Sequence, residues 1–78
     1  MKNRTFVLLY YKFVDVKDPV FESVQHKYVC DGIGLKGRII IAQEGINGTV
    51  AGTSAQLKKY VDYMDNHPKF SDIVFKRS

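Results

Sequence analysis

The residues of this chain that could perform chemistry are few, and their spacing matches no common catalytic set. Cys30 is the single cysteine, which excludes an internal disulfide and is typical of a buried small hydrophobic group on a helix. His26 and Cys30 are four residues apart and His67 is remote, whereas a zinc site needs three or four ligands. No serine has an evident histidine and carboxylate partner. We therefore expect no metal, no cofactor and no catalytic residue in this chain.

The segment QEGINGTVAG at residues 43–52 is the least generic part of the sequence. Three glycines within it imply sharp turns or a close approach of backbone. It is not a phosphate loop or a dinucleotide fingerprint, because it lacks GK[ST] and no helix follows directly. One interpretation is a hairpin with bulges, in which polar side chains satisfy backbone groups. The other is a functional loop, and its candidate loop or interface residues are Glu44, Gly45, Asn47, Gly48 and Thr49.

The elements that must position these residues follow from local patterns. Residues 6–14 are rich in β-branched and aromatic types, which predicts a strand, and Asp18-Pro19 is typical of a helix start. Short strands are predicted over 38–42, 46–52 and 73–76, with a turn at 43–45. A second helix is predicted between Thr53 or Ser54 and the His67-Pro68 pair. Apolar residues at helical spacing are expected to pack on the sheet: Phe21, Val24 and Tyr28 in the first helix, Leu57, Tyr60, Val61 and Met64 in the second.

This element order predicts the fold class. A β-α-β-β-α-β order with right-handed crossovers places both helices on one face of a four-stranded antiparallel sheet. The chain is therefore predicted to be α+β, a ferredoxin-like sandwich, with residues 1–78 forming one domain.

Strand alternation suggests which residues lie on each face of this sheet. The helix-covered face is predicted to hold Val7, Leu9, Tyr11, Phe13, Ile39, Ile41, Ile46, Val50, Ile73 and Phe75. The opposite face is predicted to hold Phe6, Leu8, Tyr10, Lys12, Arg38, Ile40, Asn47, Thr49, Asp72, Val74 and Lys76. Aromatic and cationic groups on an open sheet can bind RNA, but apolar groups there can equally dock another domain. We expect docking for the apolar part, and phosphate contacts for the cations.

The charge balance is compatible with an RNA partner without requiring one. Twelve basic residues against eight acidic ones give a formal net charge of +4. Such an excess favours an anionic partner, yet small domains also carry it for solubility. No apolar run is long enough to span a membrane, and the cysteine usage fits a reducing compartment. We expect a soluble, cytoplasmic, monomeric protein.

Three segments of the sequence resemble one family closely: LYYKFVDVKDP (residues 9–19), GLKGRIIIAQEGINGTVAGT (34–53) and FSDIVFKRS (70–78). They are similar to the amino-terminal domain of the bacterial rhodanese-domain tRNA uridine 5-hydroxylases, and the resemblance covers nearly the whole chain. In that family this domain is acylphosphatase-like and precedes a rhodanese domain that carries the catalytic cysteine. The full enzyme converts the wobble uridine of certain tRNAs to 5-hydroxyuridine, by a route that uses prephenate-derived metabolism or molecular oxygen.

The resemblance implies that this chain is the amino-terminal fragment of a longer protein and does not itself hydroxylate tRNA. Its expected role is accessory, positioning tRNA or docking the rhodanese domain. Lys12, Lys36, Arg38 and Lys76 would contact phosphates, and residues 44–49 would shape a loop beside the rhodanese domain. Two alternatives remain open at this point: a small enzyme that uses Glu44, Asn47 and Thr49 directly, or a purely structural cap.

The sequence departs from the acylphosphatases themselves after the first strand. Acylphosphatases place an arginine there in a glycine-rich loop that cradles a phosphate, whereas residues 15–19 read DVKDP. Because that stretch is acidic and contains proline, we expect no acylphosphatase activity.

Overall fold

The computed structural model of the protein describes residues 4–77. A helix follows the first strand and a second helix follows the third, as the sequence predicts. The elements are β1 (Phe6–Phe13), α1 (Pro19–Ile33), β2 (Lys36–Ala42), β3 (Gly45–Gly52), α2 (Ser54–Asp65) and β4 (Lys76–Arg77).

One antiparallel sheet holds all four strands in the order β2-β3-β1-β4. β1 and β3 are the central pair, joined over their whole length from Phe6 opposite Gly52 to Phe13 opposite Gly45. β2 and β3 form a hairpin with a two-residue turn. This order and the two helices confirm the ferredoxin-like α+β fold.

The helix boundaries are set by local capping, which explains why the sequence predicts them well. The Asp18 carboxylate accepts a hydrogen bond from the Phe21 backbone N–H at 3.0 Å, and Pro19 occupies the first turn of α1. Gly34 ends α1 with φ of 91°, a left-handed conformation that favours glycine. At α2, Thr53 and Gln56 form a reciprocal capping box.

The core lies between the sheet and the two helices. α2 contributes the side chains that the sequence predicts, with Tyr60 and Met64 fully buried. The buried apolar residues are Leu8, Tyr10, Val16, Cys30, Leu35, Ile46, Val50, Leu57, Tyr60, Met64, Phe70 and Ile73. Ile39, Ile41, Val61 and Phe75 pack against them at the margin, as expected.

The predicted orientation of β1 is wrong. Leu8 and Tyr10 are buried under the helices, whereas Tyr11 and Phe13 are 66% and 82% exposed on the other side of the sheet. Both alternating sets of this strand are largely apolar, so alternation alone could not identify the buried one. The two faces of β1 are therefore exchanged relative to the prediction.

A glycine on the neighbouring strand explains the observed orientation. Gly48 lies opposite Tyr10, and a Cβ atom at position 48 would overlap the Tyr10 ring. The missing side chain thus leaves room on the covered face for a large aromatic ring. Gly45, opposite Phe13, likewise allows a close approach, because a Cβ there would overlap the Lys12 carbonyl oxygen.

The predicted inner stripe of α1 is also wrong. Phe21, Val24 and Tyr28 are 54%, 61% and 79% exposed, and His26 and Cys30 face the core instead. The apolar residues of this helix are spread around its circumference, so the largest apolar stripe did not identify the buried side. We call the exposed set Val20, Phe21, Val24 and Tyr28 the α1 stripe.

The last strand is shorter than predicted. Only Lys76 and Arg77 pair with β1, opposite Leu9 and Leu8. Ile73 is nevertheless buried and Phe75 packs on the Tyr10 ring with centroids 5.0 Å apart, so this segment still closes the core.

Candidate nucleic-acid interface

The helix-free side of the sheet is the surface on which most candidate residues meet. Strand pairing assigns its members, since residues directly opposite each other point to the same side. We call this surface the open face. It comprises Val7, Leu9, Tyr11, Phe13, Lys36, Arg38, Ile40, Ala42, Gly45, Asn47, Thr49, Ala51 and Lys76.

The charged residues in the described strands are all basic. Within residues 4–77 the strands contain no acidic residue and five basic ones. Lys36, Arg38 and Lys76 belong to the open face and are exposed. A sheet surface that carries cations and no carboxylate of its own attracts a polyanion.

Lys12 projects from the other face of the sheet than the remaining three candidate cations, although Lys12 and Lys76 line the same cavity at the sheet edge. Lys12 is paired with the buried Ile46 on the covered face, and its side chain is 23% exposed. The ammonium group forms an ion pair with Asp72 and donates a hydrogen bond to the Lys69 carbonyl oxygen at 3.1 Å. The expectation that Lys12 shares the helix-free face with Arg38 and Lys76 is therefore wrong. The apolar stem of Lys12 lies along the mostly apolar covered face while its ammonium group reaches the margin, which explains how a lysine occupies this position.

Two aromatic rings stand beside the cations of the open face. The ring centroids of Tyr11 and Phe13 are 5.8 Å apart, and the ring planes are inclined by 72°. A cavity of about 600 Å³ lies at this place, and Asn47, Thr49 and Lys76 are among its lining residues. We call Tyr11 and Phe13 the aromatic corner. The sequence-based prediction assigned both rings to the core. Gly48, which lies opposite Tyr10, was the signal that could have indicated that Tyr10 is buried and that these two rings project to solvent.

The loop candidates are divided between the turn and the open face. Glu44 lies in the exposed β2–β3 turn, while Asn47 and Thr49 project from β3 on the open face. No side-chain hydrogen bond links these three among residues 4–77. The turn acts through its backbone: the Glu44 carbonyl accepts from the Val14 N–H at 3.0 Å. The hairpin itself is confirmed. Its predicted bulges are wrong, since β3 pairs residue by residue with both neighbouring strands. The predicted hydrogen bonds from the Glu44 and Asn47 side chains to backbone groups are likewise not seen within residues 4–77.

The covered face contains a buried hydrogen-bonded chain of three rings. The Tyr10 and Tyr60 hydroxyl groups are hydrogen-bonded, and the Tyr60 oxygen lies 2.7 Å from His26 Nε2. If each hydroxyl donates along the chain towards His26, both hydroxyl protons are used and Nδ1 carries the imidazole proton. Burial raises the pKa of both tyrosines and lowers the pKa of His26 to about 4, so all three groups are neutral at pH 7.

His26 and Cys30 do not form a metal site with a third ligand. Both side chains are buried on the inner side of α1, and burial raises the pKa of the Cys30 thiol to about 11. The thiol is therefore protonated and unreactive at neutral pH. Within residues 4–77 no group of three histidine, cysteine, aspartate or glutamate side chains is placed to hold a metal ion.

The β1–α1 connection offers no evident phosphate cradle. At the start of α1 the Asp18 carboxylate already accepts the backbone N–H of Phe21, where a phosphate oxygen would otherwise bind. Asp15 and Lys17 are exposed on either side of the buried Val16. The absence of acylphosphatase activity stays a prediction.

The fold and this surface define an open-faced ferredoxin-like domain with a basic sheet. The family model for the UPF0176 acylphosphatase-like domain matches residues 5–78. The chain belongs to that family.

Curated relatives with this domain are much longer proteins. The chain is 50% identical over 76 residues to a tRNA uridine(34) hydroxylase of Bacillus licheniformis, a match that covers 97% of the chain and 24% of that protein. Identity is 51% over 70 residues to the protein of the same name in Listeria welshimeri, covering 90% of the chain and 22% of that protein. It is 50% over 74 residues to that of onion yellows phytoplasma, covering 95% and 24%. The chain thus spans about a quarter of the length of these relatives.

Neither helix in the described part of the chain is long and apolar enough to cross a membrane.

Proposed function

We propose that this chain is an accessory, non-catalytic domain of a tRNA uridine(34) hydroxylase, and that its open face holds the tRNA substrate. The observation that carries the proposal is the cation distribution described above, with Lys36, Arg38 and Lys76 on a sheet surface to which no strand adds a carboxylate. The names of the relatives supply the substrate, tRNA. With tRNA as its substrate, the protein would act in the cytoplasm.

The three cations are spaced across the whole sheet. Lys36 and Arg38 lie on the edge strand β2, whereas Lys76 lies on β4 at the opposite edge. Arg38 and Lys76 lie in one row across the sheet, which passes through Thr49 and Leu9. An RNA backbone that follows this row would meet a cation at each edge, with the aromatic corner beginning two residues farther along β1. Phosphate contacts of this kind supply affinity and orientation rather than sequence specificity.

A second role, docking the rest of a longer polypeptide, is supported by a different surface. The α1 stripe exposes four apolar side chains on the helix layer, on the other side of the sheet from the open face. Neighbouring exposed apolar groups on one helix are typical of a protein contact. The two roles are compatible, because one uses the sheet and the other uses a helix.

The proposal is tested by the salt dependence of tRNA binding to the chain, measured by fluorescence anisotropy. Replacing Lys36, Arg38 and Lys76 together by alanine removes three phosphate contacts. The slope of log K against log salt should then become shallower by about 2 to 3. The matched control replaces Lys17, Lys58 and Lys59, three exposed lysines outside the strands. Lys12→Ala is a second control, since Asp72 already neutralises that ammonium group.

We expect both controls to keep the wild-type slope. Equal slopes for the open-face variant and the Lys17/Lys58/Lys59 control would overturn the proposal, because binding would then follow net charge and not the open face.

A further inference from the structure

We infer that the aromatic corner, Tyr11 with Phe13, is a stacking site for unpaired nucleobases, so that the domain takes single-stranded or loop RNA and not duplex RNA. This inference rests on the proposed function and specifies the form of its substrate. The two rings are 66% and 82% exposed, on the side of the sheet that the helices leave uncovered.

The geometry suits a flat, uncharged ring better than a phosphate. With the two ring planes inclined by 72° at 5.8 Å, a base that stacks on one ring presents its edge towards the other. Asn47 lies directly opposite Tyr11 and Thr49 opposite Leu9, and both are exposed. Their amide and hydroxyl groups can donate to and accept from the edge of a base held there.

The electrostatics select a nucleic acid over an apolar protein segment. The cavity beside the aromatic corner is lined by Lys76 together with Asn47 and Thr49. Asp72 also lines it, but its carboxylate forms an ion pair with Lys12, so Lys76 is left as the uncompensated charge of the cavity. No carboxylate belongs to the strand positions of the open face. Base–aromatic stacking flanked by cations is how open sheets bind single strands, whereas the paired bases of a duplex have no free faces to offer.

The test compares two short single strands with the same sugar–phosphate backbone, one with bases and one abasic, and adds a duplex of the same length. Affinities are measured for the wild-type chain and for the double variant Tyr11→Leu/Phe13→Leu. The matched control is Phe21→Leu/Tyr28→Leu, which removes one phenylalanine and one tyrosine of comparable exposure from the α1 stripe.

We expect the wild type and the control to bind the base-bearing strand about tenfold or more tightly than the abasic strand. The corner variant should lose that preference and keep the wild-type affinity for the abasic strand, because the three cations are intact. Duplex binding should be unaffected by the corner variant. Far-ultraviolet circular dichroism should show that all variants are folded.

The inference is overturned if the corner variant keeps its preference for bases, which would leave the two rings as a protein-docking surface. It is also overturned if the wild type binds both strands equally. In either case the proposed function survives as long as the cation variants still change the salt slope, so the two failures are distinguishable.

Discussion

Tyr10 on β1 lies directly opposite Gly48 on β3, and its ring occupies the space where a side chain at position 48 would begin. This pairing decides which side of β1 is buried. Since strand side chains alternate, a buried Tyr10 requires Tyr11 and Phe13 to project from the helix-free side. One glycine in the EGINGT segment thus helps to position the aromatic corner from the opposite face of the sheet.

The first prediction concerns that glycine. Gly48→Ala should lower the free energy of unfolding by about 1–3 kcal/mol, because the new methyl group overlaps the Tyr10 ring. Urea denaturation measures the change. Gly32→Ala is the control: no atom outside its own chain neighbourhood lies within 4 Å of the added methyl group, and the residue belongs to a helix. That substitution should cause no loss.

A double-mutant cycle sharpens the same prediction. In a Tyr10→Leu background the ring is gone, so adding Gly48→Ala should cost clearly less than it does in the wild type. An equal loss of unfolding free energy in both backgrounds would show that the Tyr10 ring is not the reason why position 48 requires glycine.

The second prediction concerns the buried chain of hydrogen bonds. Tyr60→Phe removes the hydroxyl group that contacts both Tyr10 and His26, and leaves two buried polar groups without a partner. We expect a loss of about 1–3 kcal/mol in thermal or urea unfolding. Tyr28→Phe, at a position 79% exposed, should change stability by no more than about 0.5 kcal/mol. Comparable losses in the two variants would contradict a structural role for the Tyr60 hydroxyl.

The third prediction is a pH dependence of stability. Burial lowers the pKa of His26 to about 4, with a smaller contribution from His67 that the Glu22 carboxylate opposes. An unfolded histidine has a pKa of about 6.5 and therefore binds a proton first as the pH falls. The contribution of His26 to stability is complete above about pH 6.5 and decreases from there towards pH 4, by about 3 kcal/mol at most.

Urea denaturation between pH 4 and pH 7 checks this dependence. His26→Gln should be less stable at pH 7 and should vary less with pH over that range, since the new side chain does not titrate. Tyr28→Phe is the control, because it alters an exposed side chain and keeps both histidines, and it should retain the wild-type pH profile. An unchanged pH profile in His26→Gln would contradict the assignment.

The fold was predictable from the sequence because its determinants are local. Asp18 and Pro19 start α1, and Thr53 caps α2, through contacts with residues next to them in the sequence. β-Branched residues favour the strands in which they themselves lie. The order of elements then leaves few arrangements. The same reasoning placed Arg38, Asn47, Thr49 and Lys76 on the side opposite the helices, where strand pairing puts them.

The predictions of the buried side were wrong for both β1 and α1, and the two errors have a common physical cause. β1 is apolar on both sides, and its orientation depends on Gly48 in another strand. The burial of His26 in α1 depends on the Tyr60 hydroxyl, which is 34 residues away along the chain. Neither dependence is visible in the periodicity of one segment, because each is a tertiary contact. Lys12 followed the orientation of its strand and so lies away from the open face.

The central claim is that the open face, and not the helix layer, binds RNA. Two-dimensional amide NMR of the ¹⁵N-labelled chain, titrated with a short single-stranded RNA, tests this residue by residue. The account predicts that the largest shift changes cluster at Tyr11, Phe13, Arg38, Asn47 and Lys76. Changes concentrated on the α1 stripe, or no saturable change at all, would contradict it.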